Sequence, residues 1–307
     1  MIREVLDKII SPSQNAFVPE RSIADNILLA QELFTGYNQK HLPRRCALKV
    51  DLRKAYDTVE WDFLIAVMHL FGFPQLFIHW IKECATTPTF SVCLNGAAHG
   101  FFAGARGLRQ GDPMSPYLFV LVIEVLRMLL QQLIDQDRDF IFHWNASQMI
   151  CSFVQQSISL FKRGLEMFAA LSGLHVSPTK SHLILSKSAQ YNRDGLLGVL
   201  GFQEGHLPVR YLGLHLIASR LSLSDCKPLL SKIDSRIRDW GGQQLSFAAR
   251  IQLIKSVIIS LNIYWAMAFI LPKGVIREIE NGCGLSYRRG FGRWIPEGHM
   301  ESSMSAD

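Results

Sequence analysis

Two segments constrain this chain more than anything else in it. Ala47–Trp61 reads ALKVDLRKAYDTVEW, and Gly107–Phe119 reads GLRQGDPMSPYLF. The first is an apolar run that delivers one carboxylate, Asp51, and then a flat aromatic ring, Tyr56. It suits a central strand over Cys46–Leu52 with a side chain presented at its C-terminal end. The second is a glycine-bearing polar loop that opens into an apolar helix. Within it, Gly111 permits close backbone approach, Asp112-Pro113 fixes a turn, and Ser115-Pro116 reads as an N-cap followed by a first helical proline. A third constraint is an absence. From Phe140 to Leu165 the chain contains no Asp or Glu.

The surrounding pattern alternates helices with hairpins. Ile23, Ile27, Leu28 and Leu33 fall at helical spacing behind Ser22, a suitable N-cap. Trp61–Phe71 and Leu76–Cys84 read as two helices divided by Gly72-Phe73-Pro74. Phe90, Val92 and Leu94 alternate before Asn95-Gly96, which predicts a tight hairpin. A long helix starts at Pro116, and Phe161, Leu165, Phe168 and Leu171 form another stripe closed by Gly173. Leu183–Leu185 reads as a short strand. Beyond Gly201 two amphipathic helices are expected around Lys227–Trp240 and Phe247–Leu261. The polar end, 296–307, reads as a frayed tail.

These strings resemble motifs A and B of reverse transcriptases, specifically those of plant LINE-type (non-LTR) retrotransposons. The resemblance extends over nearly the whole chain. Gln14–Leu33, QNAFVPERSIADNILLAQEL, is similar to the family's fingers segment. Leu171–Ser186, LSGLHVSPTKSHLILS, resembles motif D, and Pro208–Leu216, PVRYLGLHL, looks like the segment that follows the palm. The fold implied is α+β: a right-hand polymerase with fingers and palm over 1–205, a helical thumb-like region over 206–295, and the tail. The activity implied is RNA-directed DNA polymerisation on an RNA template with a DNA primer and dNTPs.

The resemblance also implies roles for single residues. Asp51 would be the catalytic carboxylate bridging two Mg2+ ions, assisted by the carbonyl of Leu52. Tyr56 would stack under the incoming sugar. Arg109, Gln110 and Gly111 would surround the incoming nucleotide, Arg21 would approach its triphosphate, and Lys180 would protonate the departing pyrophosphate. Asp57 is expected to anchor the helix that follows it.

The departure from the family is concentrated in motif C, an aromatic-Ala-Asp-Asp turn that should carry the other catalytic carboxylates. The segment expected between Cys151 and Ser157 is missing, because ICSFVQQSISLF runs directly into the next helix. One carboxylate cannot hold two magnesium ions against their mutual repulsion. The chain therefore reads as an inactive polymerase, and removal of central strands should uncover Val122, Leu126, Phe161, Leu165 and Phe168. A non-enzymatic nucleic-acid-binding remnant is the competing reading from another class. A group II intron maturase is the nearest enzymatic one, disfavoured by PVRYLGLHL and by the absence of an intron-binding domain. Endonuclease and RNase H domains are likewise not expected here.

Bulk properties agree with a folded chain that meets phosphate. Of 307 residues, 49% are hydrophobic, and Lys and Arg exceed Asp and Glu by 32 − 26 = 6; such a balance suits a nucleic-acid partner. The six cysteines are scattered without a CxxC pair, which argues against zinc, and each lies in or beside an apolar run where a buried thiol is expected. The charged N-terminus is no signal peptide. Tyr117–Leu130, interrupted by Glu124 and Arg127, is expected to fall short of a membrane span. The location expected is intracellular, with the nucleus following from the resemblance.

Overall fold

The computed structural model describes residues 2–39, 45–135, 141–145, 148–152, 155–219, 221–241 and 245–289. The chain divides into two compact units, Met1–Leu207 and Pro208–Asp307. The sequence reading sets that boundary at 205/206.

The first unit is built on a five-stranded sheet. Its strands are β1 (Arg45–Lys49), β4 (Ile141–Asn145), β5 (Gln148–Ser152), β6 (His182–Leu185) and β7 (Gln203–Gly205), in the order β4-β5-β1-β6-β7. β1 is central and antiparallel to both neighbours, pairing Cys46 with Cys151 on one side and with Leu185 on the other. A separate hairpin joins β2 (Thr89–Leu94) to β3 (Ala97–Ala103). Asn95 and Gly96 both take positive φ there, +50° and +82°. That is the mirror-image turn whose twist matches paired strands, and Asn-Gly adopts it at little cost.

Helices cover the sheet. They are α1 (Ile2–Ile9), α2 (Ile23–Phe34), α3 (Trp61–Leu70), α4 (Gln75–Thr86), α5 (Ser115–Ile134), α6 (Gln155–Ser172) and α7 (Arg193–Leu200). Ser22 caps α2, its hydroxyl accepting from the Ala24 amide at 3.2 Å. At α5 the cap differs from expectation. Met114 is the N-cap and Asp112 Oδ1 accepts from its amide at 2.9 Å, while Ser115 lies buried inside the helix. An aspartate bound to a helix-start amide also complements the helix dipole, which explains the preference.

The expected gap in the sheet is absent, which corrects the sequence reading. The β4–β5 hairpin pairs with β1, so the central strand has a neighbour on each side. Val122 and Phe161 are almost fully buried, as are Leu126, Leu165 and Phe168. At roughly 1.5–3 kcal/mol per large buried side chain, these contacts are a substantial part of what holds such a domain together. What the stretch from Phe140 to Leu165 lacks is carboxylates, not backbone to complete the sheet.

The second unit opens with a short hairpin of β8 (Val209–Tyr211) and β9 (Leu214–Leu216). The hydroxyl of Tyr264 donates to the turn carbonyl of Leu212. Helices α8 (Lys227–Gly241), α9 (Phe247–Leu253), α10 (Ile259–Ala266) and α11 (Lys273–Arg289) follow, with a π turn at Ile254–Ile258 between α9 and α10. Ile233, Ile237, Ile258 and Val275 form its interior.

Two further expectations are corrected. Ser115–Leu133 and Phe247–Ala266 are both long and apolar enough to cross a membrane by length and composition; the first is a core helix of its unit. Among the cysteines, Cys46 and Cys226 are buried, but Cys84 and Cys93 are exposed. Burial lifts the Cys226 thiol to about 11, so it stays protonated and unreactive.

Candidate active site

Asp51 lies just past the end of β1, which stops at Lys49, and is half-buried. Its backbone is fixed on both sides by one segment. Its carbonyl accepts from the Ser177 amide at 2.8 Å, and its amide donates to Ser181 Oγ at 3.0 Å. Leu52 bridges to Val176, and the Arg53 amide donates to the His175 carbonyl at 2.9 Å. In such a bridge the flanking residues supply the bonds, so Leu52's own carbonyl stays outside it. Sequence reasoning missed Ser177 and Ser181. Both sit beside Lys180, which is exposed in the turn that leads into β6 and is brought to the same end of the sheet as Asp51.

The second half of the site is a junction between two loops. After β1 the chain turns through Lys54, held at φ +45°, into a 3-10 turn over Ala55–Thr58. Against it lies the loop before α5. The Gly107 amide donates to the Val59 carbonyl at 2.8 Å, and the Leu108 amide to the Tyr56 carbonyl at 2.6 Å. Trp61 Nε1 donates to the Gly107 carbonyl at 2.8 Å, and Gln110 Nε2 to Asp57 Oδ1 at 3.1 Å. The Asp57 side chain therefore ties the two loops together and does not anchor the following helix. Gly107 runs at φ +96°, and a Cβ there would meet the Asp57 carbonyl oxygen at 2.7 Å. A glycine is the residue that fits.

Tyr56 packs its ring on Phe119 of α5, with centroids 4.7 Å apart and planes 21° from parallel. Burial pushes its hydroxyl pKa upward, so it is a neutral donor near neutrality. Arg109 spends donors on Asp112 Oδ2 at 2.7 Å and the Cys84 carbonyl at 3.4 Å. Gly111, at φ +89°, has open space where a Cβ would stand. Tyr56, Arg109, Gln110 and Gly111 thus share one junction.

Arg21 stands apart from that junction. Its guanidinium donates to the carbonyls of Asp7, Ile10, Ser11 and Gln14 and to Asp7 Oδ1. It closes the C-terminal end of α1, where helix carbonyls lack partners and a cation is favoured. With 14% side-chain exposure it is a structural clamp in this arrangement, not a solvated loop residue.

The donors do not fit a two-magnesium centre. Each ion needs oxygen ligands, and carboxylates shared between two ions offset their repulsion. Asp51 is one such carboxylate. Asp57 and Asp112 are engaged by Gln110 and Arg109, and no group of three or more His, Cys, Asp or Glu able to hold a metal occurs among the described residues. β5 begins beside the end of β1, with Met149 opposite Leu48, so the hairpin lies next to Asp51 without offering a carboxylate.

A sheet that is antiparallel except for its β7 edge, flanked by helices, with one carboxylate past the end of its central strand and a glycine-bearing loop docked against the turn that follows, is the palm of a right-hand polymerase. The chain belongs to the family described as reverse transcriptase (RNA-dependent DNA polymerase), whose model matches residues 1–216. It is of the non-LTR retrotransposon type. It is 26% identical over 292 residues to the transposon TX1 uncharacterized 149 kDa protein of Xenopus laevis, covering 88% of this chain and 21% of that protein. It is 30% identical over 115 residues to the Pol polyprotein of the type-2 retrotransposable element R2DM of Drosophila melanogaster, covering 38% of this chain and 11% of that protein. The chain thus spans about a fifth or less of these two relatives. Among solved structures, telomerase from Candida tropicalis in complex with a fragment of telomeric RNA shares the fold: TM-score 0.52 at 14% identity, over 93% of this chain and 47% of that one.

Proposed function

We propose that this chain is the polymerase domain of a plant LINE-type element that has kept the nucleic-acid-binding frame and lost turnover. The observation that supports this reading most is the acid-free stretch from Phe140 to Leu165, which includes the hairpin paired beside Asp51. In the active arrangement Asp51 and the Leu52 carbonyl would bind Mg2+, Tyr56 would stack on the incoming sugar, and Arg109, Gln110 and Gly111 would line the nucleotide. Lys180 would reach the pyrophosphate. Arg21 would serve the triphosphate only by giving up its hold on α1, so its role here is to position the fingers segment.

With a single carboxylate, in-line transfer lacks the charge stabilisation that dominates phosphoryl transfer. The loop junction that would receive a nucleotide is nonetheless intact, and the net charge favours a phosphate-rich ligand. The domain is therefore an RNA–DNA hybrid binder without turnover. The test has two arms. Primer extension on poly(A)/oligo(dT) with magnesium should give no product that depends on Asp51. Binding of an RNA–DNA hybrid should weaken steeply with added salt. Robust extension abolished by Asp51→Ala would overturn the inactivity, and salt-insensitive or absent binding would overturn the retained frame.

A further inference from the structure

We infer that Phe17 is a stacking platform for an unpaired base of a single-stranded nucleic acid; the inference rests on the nucleic-acid-binding reading above. Phe17 lies in the loop between α1 and α2, and its backbone is in an unfavourable conformation. Its φ is +60°, a region where a Cβ crowds the following carbonyl and where glycine or asparagine is the ordinary occupant. A residue stays there only when its surroundings leave it no alternative, and such strain gathers at functional positions.

The surroundings are of that kind. On one side Gln14 is buried; its amide donates to the Ser11 carbonyl at 3.0 Å and its own carbonyl accepts from Arg21 Nη1 at 2.8 Å. Asn15 Nδ2 donates to Oδ1 of the buried Asn26 on α2 at 2.8 Å. On the other side Val18 is buried and its carbonyl accepts from the Arg21 amide. Hydrogen bonds through Gln14 and Asn15 on one side and Val18 on the other hold the chain to either side of Phe17, so the position of its backbone is fixed.

The ring does not share that burial. Phe17 is 55% exposed, whereas the next residue, Val18, is 4% exposed and Ala16 before it is half-buried. If its role were to fill the core, the loop would turn it inward, as it does Val18. An outward ring held rigid at conformational expense is suited to a flat apolar ligand. A base offers such a face whatever its identity, and stacking on an aromatic ring is a main contribution to single-strand binding. Glu20, also at positive φ and exposed, and Asp7 lie in the same region. They disfavour phosphate, so this platform takes the base and leaves the backbone charge to other parts of the protein.

The experiment uses the full chain and a fluorescein-labelled oligouridylate, read by anisotropy across a salt series. Phe17→Ala and Phe17→Gly should each weaken binding about tenfold, and Phe17→Trp should hold it within about twofold. The dependence on salt should be the same in all four proteins, because the ring neutralises no phosphate. Phe17→Gly should also unfold in urea at a midpoint no lower than the parent chain, since glycine accepts the positive φ. That outcome separates binding from folding, and it covers the case in which Phe17→Ala folds poorly. Affinity unchanged in a stable Phe17→Gly protein, beside a parent chain that binds, would overturn the platform alone and leave a protein surface as the ring's occupant. A parent chain that binds an RNA–DNA hybrid but no oligouridylate at any salt would overturn the platform alone, and one that binds neither would overturn the platform together with the binding reading.

Discussion

The loop junction around Tyr56 and the β4–β5 hairpin are two neighbours of Asp51 held by different means. The junction depends on particular side chains. Trp61 and Asp57 both bond to the facing loop, and Gly107 is required because anything larger strikes the Asp57 carbonyl. The hairpin is attached to β1 by the backbone ladder, through pairs from Arg45 with Ser152 to Leu48 with Met149. Backbone pairing accepts almost any sequence of suitable propensity. A chain can therefore keep the sheet through a hairpin that offers no carboxylate beside Asp51, whereas the junction tolerates little change. Folding and chemistry are separable at one neighbour of Asp51 and much less so at the other.

The largest effect would come from restoring chemistry to the hairpin. Residues 146–147 join β4 to β5, and β5 begins at the Asp51 end of β1. Ala146→Asp combined with Ser147→Asp should bring magnesium-dependent primer extension from background to a measurable rate, a gain of orders of magnitude. Asp51→Ala in that background should abolish it. A double variant that unfolds cooperatively yet extends nothing would show that the damage reaches beyond missing carboxylates, and the contrast between the two regions would break.

The junction can be probed with its glycines. Gly107→Ala must both leave a positive φ and clear the Asp57 carbonyl, and should cost about 3 kcal/mol in urea unfolding. Gly111→Ala sits in the same loop at φ +89° with open space around it, and should cost only about 1 kcal/mol. Equal costs at the two positions would mean that the loops yield to each other more readily than their hydrogen bonds imply.

How much of this was legible in the sequence follows the same division. Local signals read correctly: Asn95-Gly96 gave its hairpin, Ser22 its cap, and Gly173 the end of α6. The motif strings around Asp51 and Gly111 pointed to the polymerase fold. What failed was long-range. The closure of the sheet by β4–β5 depends on a strand about a hundred residues earlier, and an acid-free stretch gave no hint of it. Asp57 found its partner in Gln110, across a loop contact that no local pattern encodes. For Arg21 the resemblance implies an approach to the triphosphate, and that stays an expectation; what the sequence carried no mark of is the set of carbonyls its guanidinium meets.

Arg21 yields the next prediction. Its guanidinium is the cap of α1 and links that helix to the loop that presents Phe17. Arg21→Ala leaves those carbonyls without their charged donor and should cost about 2 kcal/mol of stability, with Arg21→Lys recovering part of it because a single ammonium cannot reach all of them. Urea unfolding checks the loss, and dNTP-binding titration supplies the contrast. A variant with normal stability and weakened dNTP binding would return Arg21 to the nucleotide site.

Glu124 gives the smallest effect and the most specific sign. It lies on α5 at 2% exposure, and Arg127 Nε donates to its Oε1 at 2.6 Å, while its Oε2 is buried without a hydrogen-bond partner. Burial raises its pKa above the ordinary carboxylate value; Arg127, the Ser11 amide and the charge of Arg21 oppose that shift without cancelling it. The folded state therefore holds this proton more tightly than the unfolded state does. Its contribution to stability is present below the unfolded pKa and is lost as pH rises through the folded one. Glu124→Gln removes that dependence while keeping a group that can accept from Arg127, and near neutrality it should lie within about 1 kcal/mol of the parent chain. Comparing urea midpoints of the two proteins from acid to neutral pH isolates the effect from all other carboxylates. The parent should lose ground to the variant as pH rises. A variant that loses ground instead would show that the Arg127 pair outweighs desolvation at this buried site.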